Sequence, residues 1–443
     1  MELIKEKGLY RAMSGETLSR IQKLNREEQC SFLIPTRFIS KENAQLAYIV
    51  NEYYNLGRKK ETLFRSFFVN SRYEAIQGAI KLMRQNASKR RRNRIIIFDE
   101  QNELQRLFNP LDNQDNYLIP GLEFIDNWSE LTDIVNKYDQ ILGVILLNSL
   151  NRYDYSHLIG QCKEKRIISL WVDGDHIPGD IFLPHDFSNL PDMIILGEAL
   201  TDYEVPFALF SMTEEAHKPW TSMSYSLLHS STYSGNKLAV ESAKFKMYGA
   251  SFFRQSLSIQ ENCKEIENSF ERAVSAFGKY INPGMVDFYK MLGYDFICKQ
   301  AHGSWITIES KKEKTTQLLD CVSGGGAAVC GHSPKDVDHC VKDYNTDTNY
   351  IKELEEKLKE LFLFPYLFPA VSGATAVENG LILTLLASEG KKKIITFENN
   401  YGGNTLISLI LTGNKEIHQI FSPNYQYVIY IDPFAPDAKE RLK

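Results

Sequence analysis

Four uninterrupted apolar runs constrain the fold of this chain more than any other feature. They are IIIF at 95–98, ILGVILL at 141–147, IISLWVDGD at 167–175 and PDMIILGEAL at 191–200. A strand with one wet face alternates apolar and polar residues, whereas a strand buried on both faces reads as continuous Val, Ile and Leu. Helix-like stretches separate the runs, so the expected fold is α/β, a mostly parallel sheet with flanking helices. FRSFFVNS at 64–71 reads as a further strand and EAIQGAIKLMRQNAS at 74–88 as the helix after it. Before them the sequence has helical periodicity, with Leu46, Ile49, Val50 and Tyr53 on one face.

A second constraint is internal similarity. AVSGATAVENG at 370–380 has a degraded copy, FVNSRYEAIQGA at 68–79, in which Ser71, Ala75 and Ile76 stand where Ser372, Ala376 and Val377 stand. Ser71 and Ser372 are 301 residues apart, and Phe98 and Phe397 of the following apolar stretches are 299 apart. Both copies run helix, apolar strand, turn, helix, basic loop, strand, and duplication is the economical explanation. The helical segment 252–281 is punctuated by Asn282-Pro283-Gly284. The expected modules are therefore 1–284, a complete but degenerate copy, and 285–443, the front half of a second. The second copy contains GSWITIES, the glycine-dense LLDCVSGGGAAVCGHSP, a helix with Ile351, Leu354, Leu358 and Leu361 on one face, the strand KKIITFENN, and YQYVIYIDPF. Nothing in it corresponds to the first copy from ILGVILL onward. A sheet stopping there exposes an edge and an apolar face, so the expectation is a fragment, or a module completed by a second polypeptide.

The chemistry legible in the residues is anion binding. Ser372-Gly373-Ala374 is a small-residue turn that opens a helix, and such a turn lets backbone N–H groups approach a phosphate at the positive end of the helix. In the degraded copy Arg72 and Tyr73 replace Gly373 and Ala374, and bulk closes that approach. With a formal net charge of −5 and 24% charged residues, the chain carries no general attraction for nucleic acid or a membrane surface. The run KRRRNR at 89–94 lacks interleaved aromatics and reads as a solvated loop. Seven scattered cysteines fit reduced thiols, and Cys330/His332 and His339/Cys340 match no zinc spacing. No signal peptide or membrane-spanning run is visible, which makes the cytoplasm the expected location.

SWITIES, GGGAAVCGHSP, SGATAVENG and FENNYGGNT, in that order, make the second copy resemble the class III aminotransferases, pyridoxal 5'-phosphate (PLP) enzymes of fold type I. NSRYEAIQGAIKL, WVDGDHIPGD, PDMIILGEAL and HSSTYSGNKLA give the first copy the same resemblance, with each motif degraded. The resemblance implies that Gly373 and Ala374, with Ser372, bind the cofactor phosphate and that Tyr401 stacks on the pyridine ring. Gly402 stands where the family usually has His, and Thr375 where it usually has Glu. In the first copy Asp173 falls on the aspartate that pairs with the pyridinium nitrogen. Glu198 falls on the Schiff-base lysine, and a carboxylate cannot form that bond, so no catalytic residue is assigned. Thr232 matches the threonine that in family dimers reaches the neighbouring subunit's phosphate.

Two readings of Thr232 are open: lending by the first copy, acting as an internal partner, or satisfying its own loop. Two functions are open as well. One is amino-group transfer between a small-molecule donor and acceptor, in a homo- or hetero-oligomer that includes the missing half. The other is a pseudoenzyme scaffold that keeps the fold and has lost the reaction.

Overall fold

The computed structural model describes residues 12–29, 38–87, 92–110, 118–147, 153–173, 188–311, 315–388, 390–421 and 425–441. In chain order, helices α1 (Gly15–Arg26) and α2 (Lys41–Tyr54) precede strand β1 (Phe64–Val69), helix α3 (Arg72–Ala87), and strands β2 (Arg94–Phe98) and β3 (Leu122–Ile125). Helix α4 (Trp128–Lys137), β4 (Ile141–Leu147), α5 (Tyr155–Glu164), β5 (Ile168–Val172), β6 (Met193–Leu196) and β7 (Ala208–Thr213) follow. Then come α6 (Lys237–Gly249), α7 (Leu257–Asn268), α8 (Phe270–Tyr280), β8 (Ile297–His302), β9 (Trp305–Glu309) and β10 (Thr315–Leu319). Helices α9 (Tyr350–Phe362) and α10 (Gly373–Ala387) and strands β11 (Ile394–Phe397) and β12 (Val428–Ile431) complete the elements used below.

The chain divides into two compact units, and each draws on both sequence copies. The first unit comprises 1–72, 177–181 and 196–369, the second 73–176, 182–195 and 370–443. In the first unit β1 and β7 pair antiparallel, and β10, β9 and β8 form a separate antiparallel meander. Phe296, Ala301, Ile306 and Ile308 make the core of that meander. Helix α2 is buried along most of its length. Asn282, read as punctuation, is the N-cap of a further helix, Pro283–Leu292, and accepts from the Gly284 amide at 2.9 Å.

The second unit holds strands in the order β6-β5-β4-β2-β3, every pair of them parallel. The apolar runs are these strands, and β2, β4, β5 and β6 are buried almost throughout, as continuous Ile, Leu and Val require. The fold is therefore α/β with a mostly parallel sheet and flanking helices. Helix α3 lies so close to β4 that a Cβ on Gly143 would stand 2.7 Å from Met83 Sδ and 3.1 Å from Ile168 O, so a larger residue there requires the methionine to move.

A second parallel pair, β11 with β12, belongs to the same unit. Its register matches that of β2 with β3: Ile95 faces Leu122 and Phe98 faces Ile125, while Ile394 faces Val428 and Phe397 faces Ile431. The flanking bonds match too. The Ile95 and Asp99 amides donate to Gly121 and Ile125, and the Ile394 and Glu398 amides donate to Tyr427 and Ile431. One difference separates the pairs, because β2 also has β4 on its other edge and β11 has no second neighbour among the described residues.

The expected helix with Ile351, Leu354, Leu358 and Leu361 on one face is α9, and no residue of it is buried among the described residues. One expectation is corrected. The cysteines are not all reduced, since Cys298 is disulfide-bonded, whereas Cys162, Cys263, Cys321, Cys330 and Cys340 are free. Cys30, residues 89–91 of the basic run and 174–187 after Asp173 lie outside the described residues. No helix among the described residues is long and apolar enough to cross a membrane.

Candidate functional site: an anion seat at the start of helix α10

Helix α10 begins with a reciprocal capping box. Ser372 Oγ accepts the Thr375 amide at 3.2 Å, and Thr375 Oγ1 accepts the Ser372 amide at 3.0 Å. Thr375 thus does at short range what a glutamate does in the usual S-x-x-E box. The Ser372 hydroxyl also donates to Glu74 Oε1 at 2.8 Å, so this side chain holds the helix start in place. The next two amides, Gly373 and Ala374, find no acceptor among the described residues. A Cβ placed on Gly373 would meet no atom within 4 Å. Two unsatisfied N–H groups at the positive end of a 15-residue helix and open space beyond them make an anion seat.

The turn after β11 closes one side of the seat. Gly403, at φ +140°, packs so tightly that a Cβ there would stand 2.3 Å from Ser408 Oγ and 2.8 Å from Ala374 Cβ. This close approach brings the Tyr401-Gly402-Gly403 turn and the Gly373-Ala374 turn into one site. Gly402 is equally enclosed, with Leu411 Cβ and Ser408 O each 2.7 Å from the place of a Cβ, and its amide donates to Thr412 Oγ1 at 3.1 Å. A histidine does not fit this backbone. Tyr401 itself is 73% exposed, leaving a ring face open for stacking.

The equivalent place in the first copy is filled from within. The Arg72 amide, counterpart of the Gly373 amide, donates to Glu198 Oε1 at 2.8 Å. Glu198 therefore supplies the anion that this helix start favours. Tyr73, counterpart of Ala374, is stacked on Phe108 with ring centroids 5.4 Å apart. Asp173 is buried just past the end of β5, its amide donating to Ile195 O at 2.9 Å. Thr232 is exposed in a loop of the first unit. Its carbonyl accepts Asn70 Nδ2 at 2.6 Å, and its hydroxyl makes no hydrogen bond among the described residues.

A family model described as aminotransferase class-III matches residues 290–442. The aminotransferase PigE of Serratia is 30% identical over 178 residues, 37% of this chain and 20% of that protein. The acetylornithine aminotransferase of Listeria monocytogenes is 32% identical over 155 residues, covering 32% and 38%. That of Bacillus amyloliquefaciens is 30% identical over 156 residues, covering 31% of this chain and 67% of the relative. The chain belongs to the class III aminotransferases. It spans 20% of PigE and 38% of the Listeria enzyme.

Membership implies PLP as the cofactor. The aminotransferase residues described here fit its phosphate end, on the open Gly373 and Ala374 amides, and one ring face, at Tyr401. No carboxylate and lysine for the ring nitrogen and the covalent bond are matched in the second copy.

The sequence did not single out the polar cluster behind the seat. Glu74, Gln77 and Lys81 on α3 and Glu378 on α10 are all buried. Gln77 Nε2 donates to both Glu378 oxygens, at 3.0 and 3.1 Å, and Gln77 Oε1 accepts the Ile407 amide at 3.2 Å. Gln77 and Glu378 are 301 residues apart, the same offset as the two serines. Lys81 Nζ donates to Asn404 Oδ1 at 3.0 Å and to the Asn404 carbonyl, beside the Tyr401 turn. Burial pushes the Glu378 carboxyl up to about 7, reinforced by Glu74 and opposed by hydrogen bonds from Thr405, Gln77 and the Ser408 amide. Burial pushes Lys81 down to about 7 against the attraction of Glu378. The legible signal was the shared offset itself, which pairs polar positions in two otherwise apolar helices.

Proposed function

We propose that this chain contributes the phosphate end of a PLP-dependent amino-group transfer site, acting in the cytoplasm on a small-molecule donor and acceptor and completed by further polypeptide. The observation that carries the reading is the contrast between two equivalent helix starts: the Gly373 and Ala374 amides are open, whereas the Arg72 amide is taken by Glu198. The cofactor, when bound, supplies the electron sink. The chain's own groups fix the phosphate through two amides, limit ring movement with Tyr401, and hold the seat rigid through the Ser372–Glu74 and Gln77–Glu378 contacts. The first copy acts as an internal partner, a reading supported by those contacts between equivalent helices and by the matching registers of β2/β3 and β11/β12. The family pattern alone gives Thr232 its part in phosphate binding.

Absorbance spectra with added PLP, for the chain alone and with any co-purifying polypeptide, test the reading. The chain alone is expected to bind PLP reversibly, with no borohydride-reducible bond, and the covalent spectrum is expected only in the completed assembly. A covalent spectrum from the chain alone refutes it. Glu198 on the lysine position favours a second reading, a pseudoenzyme scaffold, which predicts no PLP binding in either sample.

A further inference from the structure

We infer that His418 and Tyr430 are positioning residues of the candidate site: they hold the turn that carries Tyr401 and so set where the pyridine ring is stacked. This rests on the proposed function, in which Tyr401 faces that ring, and it assigns the side chains that place it. The Tyr401-Gly402-Gly403 turn leans on one short helical turn, Ser408–Leu411, in which Ser408, Leu409 and Ile410 are buried. A Cβ on Gly402 would stand 2.7 Å from both Ser408 O and Leu411 Cβ, so the glycine backbone follows any movement of the helical turn. Thr412, next in sequence, ties the two together. Its hydroxyl accepts the Gly402 amide at 3.1 Å and donates to Gly403 O at 3.0 Å.

A single helical turn ends in carbonyls that it cannot satisfy itself, and here side chains from two other elements supply the donors. The Ile410 carbonyl accepts no backbone amide among the described residues, and Tyr430 of β12 donates its hydroxyl to it at 2.7 Å. His418, on the short helix Lys415–Ile420, brings Nε2 to 3.0 Å from Leu409 O. A carbonyl only accepts, so that nitrogen carries a ring proton. Leu409 O also takes the Thr412 amide at 3.0 Å, which links His418 through Thr412 to the Gly402 and Gly403 backbone. His418 Nδ1 lies 3.2 Å from the Tyr430 hydroxyl, so the two side chains form one clamp. Leu411 O, the next carbonyl, accepts Asn400 Nδ2 at 3.0 Å, and Asn400 immediately precedes Tyr401. The clamp and the phosphate seat thus serve different ends of the cofactor. The Gly373 and Ala374 amides belong to α10, whose start is fixed by its own capping box and by Glu74. Loosening the clamp moves the ring contact and leaves those amides in place.

The test titrates the full chain and its variants Tyr430→Phe and His418→Leu with two probes, PLP followed by absorbance and inorganic phosphate followed by the Gly373 and Ala374 amide resonances. Each variant is expected to weaken PLP about fivefold while phosphate affinity stays within about twofold, because the lost donors serve the ring side of the site. His418→Gln, which returns a side-chain N–H donor, is expected to recover most of the loss. Unchanged PLP affinity in Tyr430→Phe and His418→Leu overturns the assignment. So does equal weakening of both probes, the mark of a general loss of fold, and so does a His418→Gln as weak as His418→Leu. The amide resonances report folding in the same samples; where Tyr430→Phe alone unfolds, the two His418 variants decide. A native chain that takes up phosphate and no PLP strikes the proposed function and this assignment with it, whereas native PLP binding that the variants match strikes the positioning role alone.

Discussion

Replacing Glu378 by Gln is expected to stabilise the protein above neutral pH and to change little at pH 5. Glu378 is buried and its carboxyl rises from an ordinary 4.5 to about 7. A carboxyl whose folded value lies above its unfolded value contributes stability that is full below the unfolded value and is lost as pH rises through the folded one. At about 1.4 kcal/mol per pH unit, ionising Glu378 in place costs about 3 kcal/mol by pH 8. Lys81 has the opposite sign: lowered to about 7, it loses stability as pH falls from its unfolded value through 7. Glu74 faces Glu378 from α3 and adds to the rise, while Gln77, Thr405 and Ser408 donate to the carboxylate and limit it. A glutamine at 378 keeps an oxygen for Gln77 Nε2 and removes the buried charge. Urea unfolding followed by circular dichroism at pH 5, 6, 7 and 8 is the assay. The gain of Glu378→Gln over the native protein should grow with pH toward about 3 kcal/mol, an upper value because Lys81 loses an attractive neighbour. If the difference does not vary with pH, the carboxyl does not titrate in this interface and the argument fails.

Three further outcomes follow from the same geometry. Glu198→Ala leaves the Arg72 amide without its carboxylate and should cost about 1–2 kcal/mol, whereas Glu198→Gln should recover most of it; equal losses would show that the hydrogen bond is unimportant. Gly403→Ala places a Cβ 2.3 Å from Ser408 Oγ at φ +140° and should both destabilise by about 2 kcal/mol or more and weaken PLP binding through Ala374. Gly380→Ala, in open space within α10, is the control and should be neutral or stabilising by up to about 1 kcal/mol, measured by the same urea midpoints.

The sheet was legible because burial on both faces leaves short continuous runs rich in β-branched residues, and β2, β4, β5 and β6 fall on the apolar runs. The start of α10 was legible for a similar reason, since a serine and two small residues before an apolar helix are a local signal of a cap. What local signals misstate is whether a face has a partner. Ile351, Leu354 and Leu361 repeat at helical spacing in α9 and are exposed, because periodicity reports the capacity to bury and not the surface that does the burying. Glu74, Gln77, Lys81 and Arg84 form the converse case. They repeat at spacings of 3 and 4 along α3, the pattern of a wet face, and all are buried, because carbonyls and carboxylates from 300 or more residues away satisfy most of them. For Glu198 the sequence offered only an expectation, drawn from the family resemblance. Its bond to Arg72 spans 126 residues and has no local signature.

That bond also bears on what the start of α3 can hold. A helix start that has recruited a carboxylate from its own chain no longer waits for a phosphate from outside. A lysine in place of Glu198 would bring a cation to the positive end of α3 and take the carboxylate from the Arg72 amide, an unfavourable exchange. The Glu198–Arg72 contact acts as a built-in plug: the carboxylate at the start of α3 belongs to the same chain and is never released, whereas the start of α10 at Gly373 has no such group among the described residues.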